Sequence, residues 1–317
     1  MPKKTVGSRI AGVNPGANLG PFAFGGDVYF ADAVDGLDGN DGKSPETAVK
    51  SIEVGYGKLR DGENDVQVLI GTATAFNVTA AFTWSKSFAH LVGGTGDLPG
   101  EGQRARVVGT TTVDPAVLFT LSGNGCVVKN IKFAQESDSA SALCCVLVSG
   151  GRNYFENCMI AGMLHATPAA DAAAYSLKIT NEENHFKNCT IGADTIVRSA
   201  ANTELWVASH RNSFDRCFFA SNSVTSGKFL VKIDNTGGDL RYTRFRDCTF
   251  YNYTTNYATG ITDAFDMPAS GSTHYVLLEG NCLFVGVGMG VADTVTRVYG
   301  AGAAANAGMF VATNPTT

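Results

Sequence analysis

The chain has 317 residues, of which 44% are hydrophobic and only 17% charged, so a sizeable core can form and a charged, disordered chain is excluded. Glycine is frequent at 37 residues, proline is scarce at 9, and 24 basic against 29 acidic residues leave a net charge of −5. That turn-rich, weakly charged composition favours an all-β architecture over a helical one, and the lack of any basic cluster beyond Lys3 and Lys4 argues against direct nucleic-acid binding.

No apolar run of about 18 residues is present, so no helical membrane span is expected. Met1–Thr5 is not followed by an apolar stretch of signal-peptide type, and export by that route is not expected. On that reading the Asn-x-Thr sites at Asn77, Asn188 and Asn252 carry no sugar.

Residues 1–26 read as an extended N-terminal arm. Gly7, Gly12, Pro15, Gly16, Gly20, Pro21, Gly25 and Gly26 interrupt any regular element. Between them lie Arg9, Ile10, Val13, Leu19, Phe22 and Phe24, which are the expected partner-binding residues of an arm that orders on another protein's surface.

Residues 27–57 read as an opening strand, an acidic loop and a capping helix. Val28–Ala31 is the strand. Ser44 as N-cap, Pro45 at the first position and Glu46 in the first turn predict a helix running to about Gly57, with Ala48, Ile52 and Tyr56 on the face that plugs the first coil. The loop Asp32–Gly42 carries Asp32, Asp35, Asp38 and Asp41 among glycines. It lacks the EF-hand spacing and closing glutamate, so a set of Asx turns is one reading and a calcium site the other.

Residues 58–286 repeat themselves. The copies read Val128-Lys129-Asn130-Ile131, Phe155-Glu156-Asn157-Cys158, Phe186-Lys187-Asn188-Cys189, Phe214-Asp215-Arg216-Cys217, Phe245-Arg246-Asp247-Cys248 and a degenerate Glu279-Gly280-Asn281-Cys282, at steps of 27, 31, 28, 31 and 34 residues. Each is preceded by an alternating run such as Leu177–Ile179, Leu205–Val207 or Phe229–Ile233. A period of this size without helical pattern is too short for a four-stranded propeller blade and fits one coil of a parallel β-helix.

In such a coil the first, fourth and sixth positions face inward, and the third tolerates the left-handed bend between them. The second position, Lys129, Glu156, Lys187, Asp215 and Arg246, alternates in sign and is expected in solvent. The eight cysteines are then expected as buried reduced thiols, with one of Cys144 and Cys145 inward and one outward. Residues 287–317, rich in glycine and alanine, read as a C-terminal tail over the last coil or a neighbouring subunit.

No nucleophile elbow, zinc-protease helix or phosphate loop is present, and no cofactor or metal is expected. His185 reads as a surface residue, and Gly94–Gly100 as a loop that misses the dinucleotide fingerprint. Carboxylates for polysaccharide chemistry are sought at Asp234, Asp239, Asp263 and Asp266, and a sugar platform at Tyr251, Tyr253 and Tyr257.

Val6–Arg9, Asn14–Gly16 and Gly20–Phe30 resemble the start of β-helical virion proteins of tailed bacteriophages, and Asp38–Ala48 resembles the opening of many phage and bacterial right-handed parallel β-helices. The resemblance implies a homo-oligomer, a trimer in the first instance, seated on a virion at the capsid surface as a decoration or cement protein. Its partners would be the major capsid protein or other virion proteins, bound through the terminal arms. It offers no catalytic motif, so a non-enzymatic structural protein is expected. The alternative is a tail spike or fibre that binds, and possibly cleaves, host surface polysaccharide.

Overall fold

A computed structural model of the chain describes residues 25–78, 80–94, 105–110, 114–200, 202–223, 225, 227–234, 241–253, 261–267, 274–291 and 298–300, with the backbone alone at 262, 288–291 and 298–300. Among the described residues the strands form three sheets of ten, eight and eight strands. The pairings are parallel, and each strand lies beside the equivalent strand of the previous coil, as Phe155 lies beside Phe186 and Phe186 beside Phe214.

One coil runs from His185–Lys187 on the first face to Thr190–Arg198 on the second and Thr203–Val207 on the third, then returns to the first at Asn212–Asp215. This is the all-β parallel β-helix that the repeat predicts, with coils about 4.8 Å apart.

The repeat straddles the corner between the first and second faces. Its third residue makes the turn: Asn130, Asn157, Asn188, Arg216 and Asp247 sit at φ 59, 52, 51, 51 and 51, a region where asparagine is tolerated better than most side chains. The asparagines also bond along the stack, Asn157 Nδ2 donating to Asn130 Oδ1 and Asn188 Nδ2 to Asn157 Oδ1, both at 3.3 Å. In the last copy the register differs from the sequence alignment. Leu278 pairs with Phe245 and Glu279 with Arg246, so Gly280, at φ 66, makes the turn and Asn281 is one extra residue.

The first position builds a column of stacked rings, with centroids 4.6 Å apart for Phe155–Phe186 and 4.9 Å for both Phe186–Phe214 and Phe214–Phe245. All eight cysteines are free and buried. At the corner each thiol meets backbone carbonyls. Cys158, Cys217 and Cys248 Sγ donate to the oxygens of Val128, Phe186 and Phe214 on the coil before, at 3.5 to 3.6 Å. Cysteine therefore fills a small apolar position and adds a weak donor to it.

One expectation about this corner is corrected. The second-position charges do pair between coils, Lys129 with Glu156 at 3.2 Å, Lys187 with Glu156 at 3.0 Å and Arg246 with Asp215 at 2.7 Å, but Lys129 and Asp215 are buried, because side chains a coil apart cover one another. On the third face Cys145 points into the core and Cys144 away from it, as the sequence suggests, and Cys144 is buried too, sealed by the Tyr175 side chain of the next coil.

The front of the stack is capped in two pieces, where one helix is predicted. Ser44 caps a single 3-10 turn, Pro45–Thr47, in a capping box with Thr47. The β-branched Val49 then pairs with the opening strand, its N–H donating to Phe30 O at 3.0 Å and its carbonyl accepting from Asp32 N at 2.8 Å. A second cap, Ser51, starts the α-helix Ile52–Lys58. Ile52 and Val49 enter the main core, while Ala48 packs into a separate cluster with Phe30, Val66 and Val68.

In the acidic loop the aspartates bind backbone, Asp32 and Asp41 in Asx turns and Asp38 across to the start of the helix. Asp32 Oδ1 accepts from Val34 and Asp35 N–H, Asp38 Oδ1 from Lys50 and Ser51, and Asp41 Oδ1 from Lys43.

Candidate functional site

The third face carries a column of outward residues in strict register: Leu147, Lys178, Trp206, Lys232 and Asp266 pair one to the next. Each sits between two inward apolar residues, as Trp206 does between Leu205 and Val207, so the period-two alternation of the strands puts this column on the surface. Lys178 Nζ lies 3.5 Å and Lys232 Nζ 4.6 Å from the centre of the Trp206 ring, one from the coil before and one from the coil after. Trp206 Nε1 donates to Asp234 Oδ2 at 3.2 Å.

A second outward column begins these strands: Tyr175, Thr203 and Phe229, again in register. Thr203 is small, and its hydroxyl turns back onto the carbonyls of Leu205 and Leu230, at 3.2 and 3.1 Å. The two rings therefore flank a gap. It forms a groove with a cavity of about 100 Å³, whose lining includes Ala172, Ala173, Tyr175, Phe229, Lys232 and Asp266. Burial raises the Asp266 carboxyl above its ordinary value, and Asp234 adds to the effect while Lys232 opposes it.

Beneath the groove lies a buried ionic cluster. Asn202, also in the lining, accepts from Lys228 Nζ at 2.8 Å. Lys228 Nζ reaches Glu204 Oε1 at 3.0 Å, and Arg198 Nη2 reaches Glu204 Oε2 at 2.8 Å. The Ser176 hydroxyl donates to the same Glu204 oxygen. Burial alone would raise Glu204, but the two cations and Ser176 outweigh it and bring the carboxyl down to about 2. Burial, with Arg198 adding to it and Glu204 opposing, brings Lys228 down to about 8. Gly162 and Gly192, at φ 77 and 89, line the cluster, where a Cβ would strike Ser176 Oγ and the Glu204 side chain.

The structure brings some of the predicted site residues together and separates others. Asp234 and Asp266 meet around Trp206 and Lys232, whereas Asp263 lies earlier on the Asp266 strand and Asp239 falls outside the described residues. The tyrosine platform is not part of this groove: Tyr251 stacks on Phe218 at 5.6 Å on the second face, Tyr253 is exposed on the same strand, and Tyr257 is outside the described residues. His185 is half-buried, not a surface residue, stacked on Tyr154 with Nδ1 2.6 Å from Ser213 Oγ. Arg9, Ile10, Val13, Leu19, Phe22 and Phe24 all fall outside the described residues.

No protein-family model and no curated protein matches the chain. Solved structures do match its fold. A pectin methylesterase in complex with a hexasaccharide aligns at a TM-score of 0.53 and 12% identity, covering 92% of this chain and 94% of that one. The pectin methylesterase PemA of Erwinia chrysanthemi aligns at 0.52 and 12%, covering 92% and 93%. The ORF18 protein of Geobacillus virus E2 aligns at 0.41 and 10%, covering 84% of this chain and 60% of that one, a score too low to argue from.

At these identities the likeness establishes the parallel β-helix and nothing finer. The expectation that the chain is not an enzyme is corrected by the same finding: pectin methylesterases, which are enzymes, share its fold at a TM-score above 0.5, so the architecture gives no ground for excluding catalysis.

Proposed function

We propose that this chain is a β-helical component of a bacteriophage particle, held on the major capsid protein or another virion protein through its terminal segments and self-associating as a trimer. One observation supports the reading. The Asp38–Ala48 stretch, which resembles the opening of phage and bacterial β-helices alike, is the segment that closes the front of the stack, and the phage pointer is the Val6–Arg9, Asn14–Gly16 and Gly20–Phe30 resemblance ahead of it. Asp38 ties Lys50 and Ser51, Gly42 N donates to Thr47 O at 2.9 Å, and Phe30 N donates to Gly42 O at 2.7 Å.

Deleting residues 1–24 is expected to leave the β-sheet circular dichroism and melting temperature unchanged and to abolish co-sedimentation with phage particles. Truncated protein that still sediments with particles would overturn the reading. Light scattering of the intact chain tests the trimer.

A second reading, contact with host surface polysaccharide, is favoured by the third-face groove. Tyr175 and Phe229 offer ring surfaces, and Lys232 and Asp266 offer a donor and an acceptor beside them, the combination by which proteins hold sugar rings.

A further inference from the structure

We infer that the third-face groove binds an acetamido-bearing sugar, a unit of the N-acetylhexosamine class within a larger glycan. The inference rests on the polysaccharide reading and names its ligand.

Size comes first. A cavity of about 100 Å³ is far below the ~300–1,000 Å³ that encloses a whole small molecule. It admits one substituent, while the rest of the ligand lies along the open face.

Shape comes second. Tyr175 and Phe229 stand two coils apart with only Thr203 between them, a span of about 9.6 Å from twice the strand spacing. A flat group fits between two such rings; a bulky or branched one does not. Trp206 also lines the groove, with Lys178 of the coil before and Lys232 of the coil after lying over its ring.

Chemistry comes third. Asn202 is spent on its own chain, donating to Ala169 and Asp171 carbonyls and accepting from Lys228, and the Thr203 hydroxyl is likewise spent. Among the described residues, Lys232 and Asp266 are the lining side chains that stand in the groove as a charged donor and acceptor without a hydrogen bond of their own. An acetamido group matches this set. Its carbonyl accepts from Lys232, its N–H donates to Asp266, its plane fits between the rings, and its methyl meets Ala172 and Ala173.

An acidic sugar matches less well. Its carboxylate would gain Lys232 but would face Asp266 and Asp234. A plain hexose would bury hydroxyls against alanine and phenylalanine and leave the slot without an apolar occupant.

The test is saturation-transfer NMR and titration of the full chain with three oligosaccharides: chitotriose, cellotriose and trigalacturonate. Chitotriose is expected to bind about tenfold or more tightly than either of the others, with the strongest transfer on its acetamido methyls. Asp266→Asn and Phe229→Ala are each expected to weaken it by about tenfold with the sheet signal intact. Equal binding of cellotriose, or preference for trigalacturonate, overturns the acetamido assignment and leaves the groove as a saccharide surface. Binding of none of the three overturns both. The ligand comparison needs no variant, so the inference stays testable even if a substitution unfolds the chain.

Discussion

Two sides of the same coil are built by different rules. At the corner between the first and second faces, the coils that begin at Phe155, Phe186, Phe214 and Phe245 repeat the same solution: an inward phenylalanine, a left-handed turn residue, a buried thiol. On the third face the equivalent positions change from coil to coil. The column Cys144, Tyr175, Thr203, Phe229 has no chemical theme, and neither does Leu147, Lys178, Trp206, Lys232, Asp266. Repetition serves the stack, because identical neighbours pack in one register. Variation makes a site, because a groove needs a large residue, a gap and a large residue in succession. The ionic cluster of Arg198, Glu204 and Lys228 belongs to the varied side and lies directly under the groove.

The contrast is broken most forcefully at Glu204 and Phe214. Glu204→Ala strands two buried cations and is expected to cost about 3–5 kcal/mol. Phe214→Ala opens a cavity in the ring column and is expected to cost a similar ~3–5 kcal/mol. What separates the two regions is the rescue. Replacing the whole cluster by apolar residues, Arg198→Met with Glu204→Leu and Lys228→Met, is expected to recover the loss, because an ionic triad contributes little net stability over well-packed hydrophobic side chains. No second change refills the space left by Phe214 between Phe186 and Phe245. Urea titrations of the four proteins measure this, and a triple variant as unstable as Glu204→Ala would show that the cluster holds the fold up.

The same cluster makes stability depend on pH. Lys228 falls from an ordinary 10.5 to about 8 on folding, because burial disfavours its charge. Between those values the unfolded chain binds the proton that the folded chain has released, so stability rises with pH from about 8 to 10.5. The full effect is of the order of 3 kcal/mol at ~1.4 kcal/mol per unit. Lys228→Met removes that rise. Glu204 acts at the other end: its carboxyl moves from 4.5 to about 2, so its contribution is whole above pH 4.5 and is lost as the pH falls towards 2. Melting temperatures of the wild type and the Lys228→Met variant across pH 7 to 10 check the first of these, and parallel curves would refute it.

How far the sequence could be read follows the same division. The repeated corner is legible because Phe-x-Asn-Cys and its variants recur at steps of 27 to 34 residues, and a recurring step of that size means stacking before any coordinate is known. The left-handed third position was legible from asparagine alone. The groove was not. Its signal lay in the middle residue of each alternating run, Lys178, Trp206 and Lys232, and that residue turns outward only when its two neighbours are recognised as inward. Tyr251, Tyr253 and Tyr257 suggest a sugar platform because they are close in sequence, whereas the aromatic residues that share a groove, Tyr175 and Phe229, are brought together by coil stacking. The Arg198–Glu204–Lys228 cluster was hidden for the same reason: three charged residues in three segments give no local pattern that marks them as buried. The split cap at Ser44 and Ser51 turned on Val49, whose pairing with the opening strand overrides helix signals on both sides.

The smallest effects sharpen the regular side. Asn188→Ala removes the ladder bond to Asn157 and places alanine at φ 51, and is expected to cost about 1–2 kcal/mol. Asn188→Gly keeps the conformation and is expected to cost less, the loss being the bond alone. The ladder does not continue as asparagine. Arg216 occupies the next third position at φ 51 and reaches back to Asn188 Oδ1 through Nε at 3.1 Å. Arginine there holds a left-handed turn that suits it poorly, so Arg216→Asn is expected to stabilise the chain by a few tenths of a kcal/mol up to ~1 kcal/mol, by relieving the backbone and extending the ladder one coil. The sign is what matters. Where repetition serves the stack, restoring the repeat raises the melting temperature, and a fall with Arg216→Asn would mean that this coil departs from the pattern for a reason outside the stack.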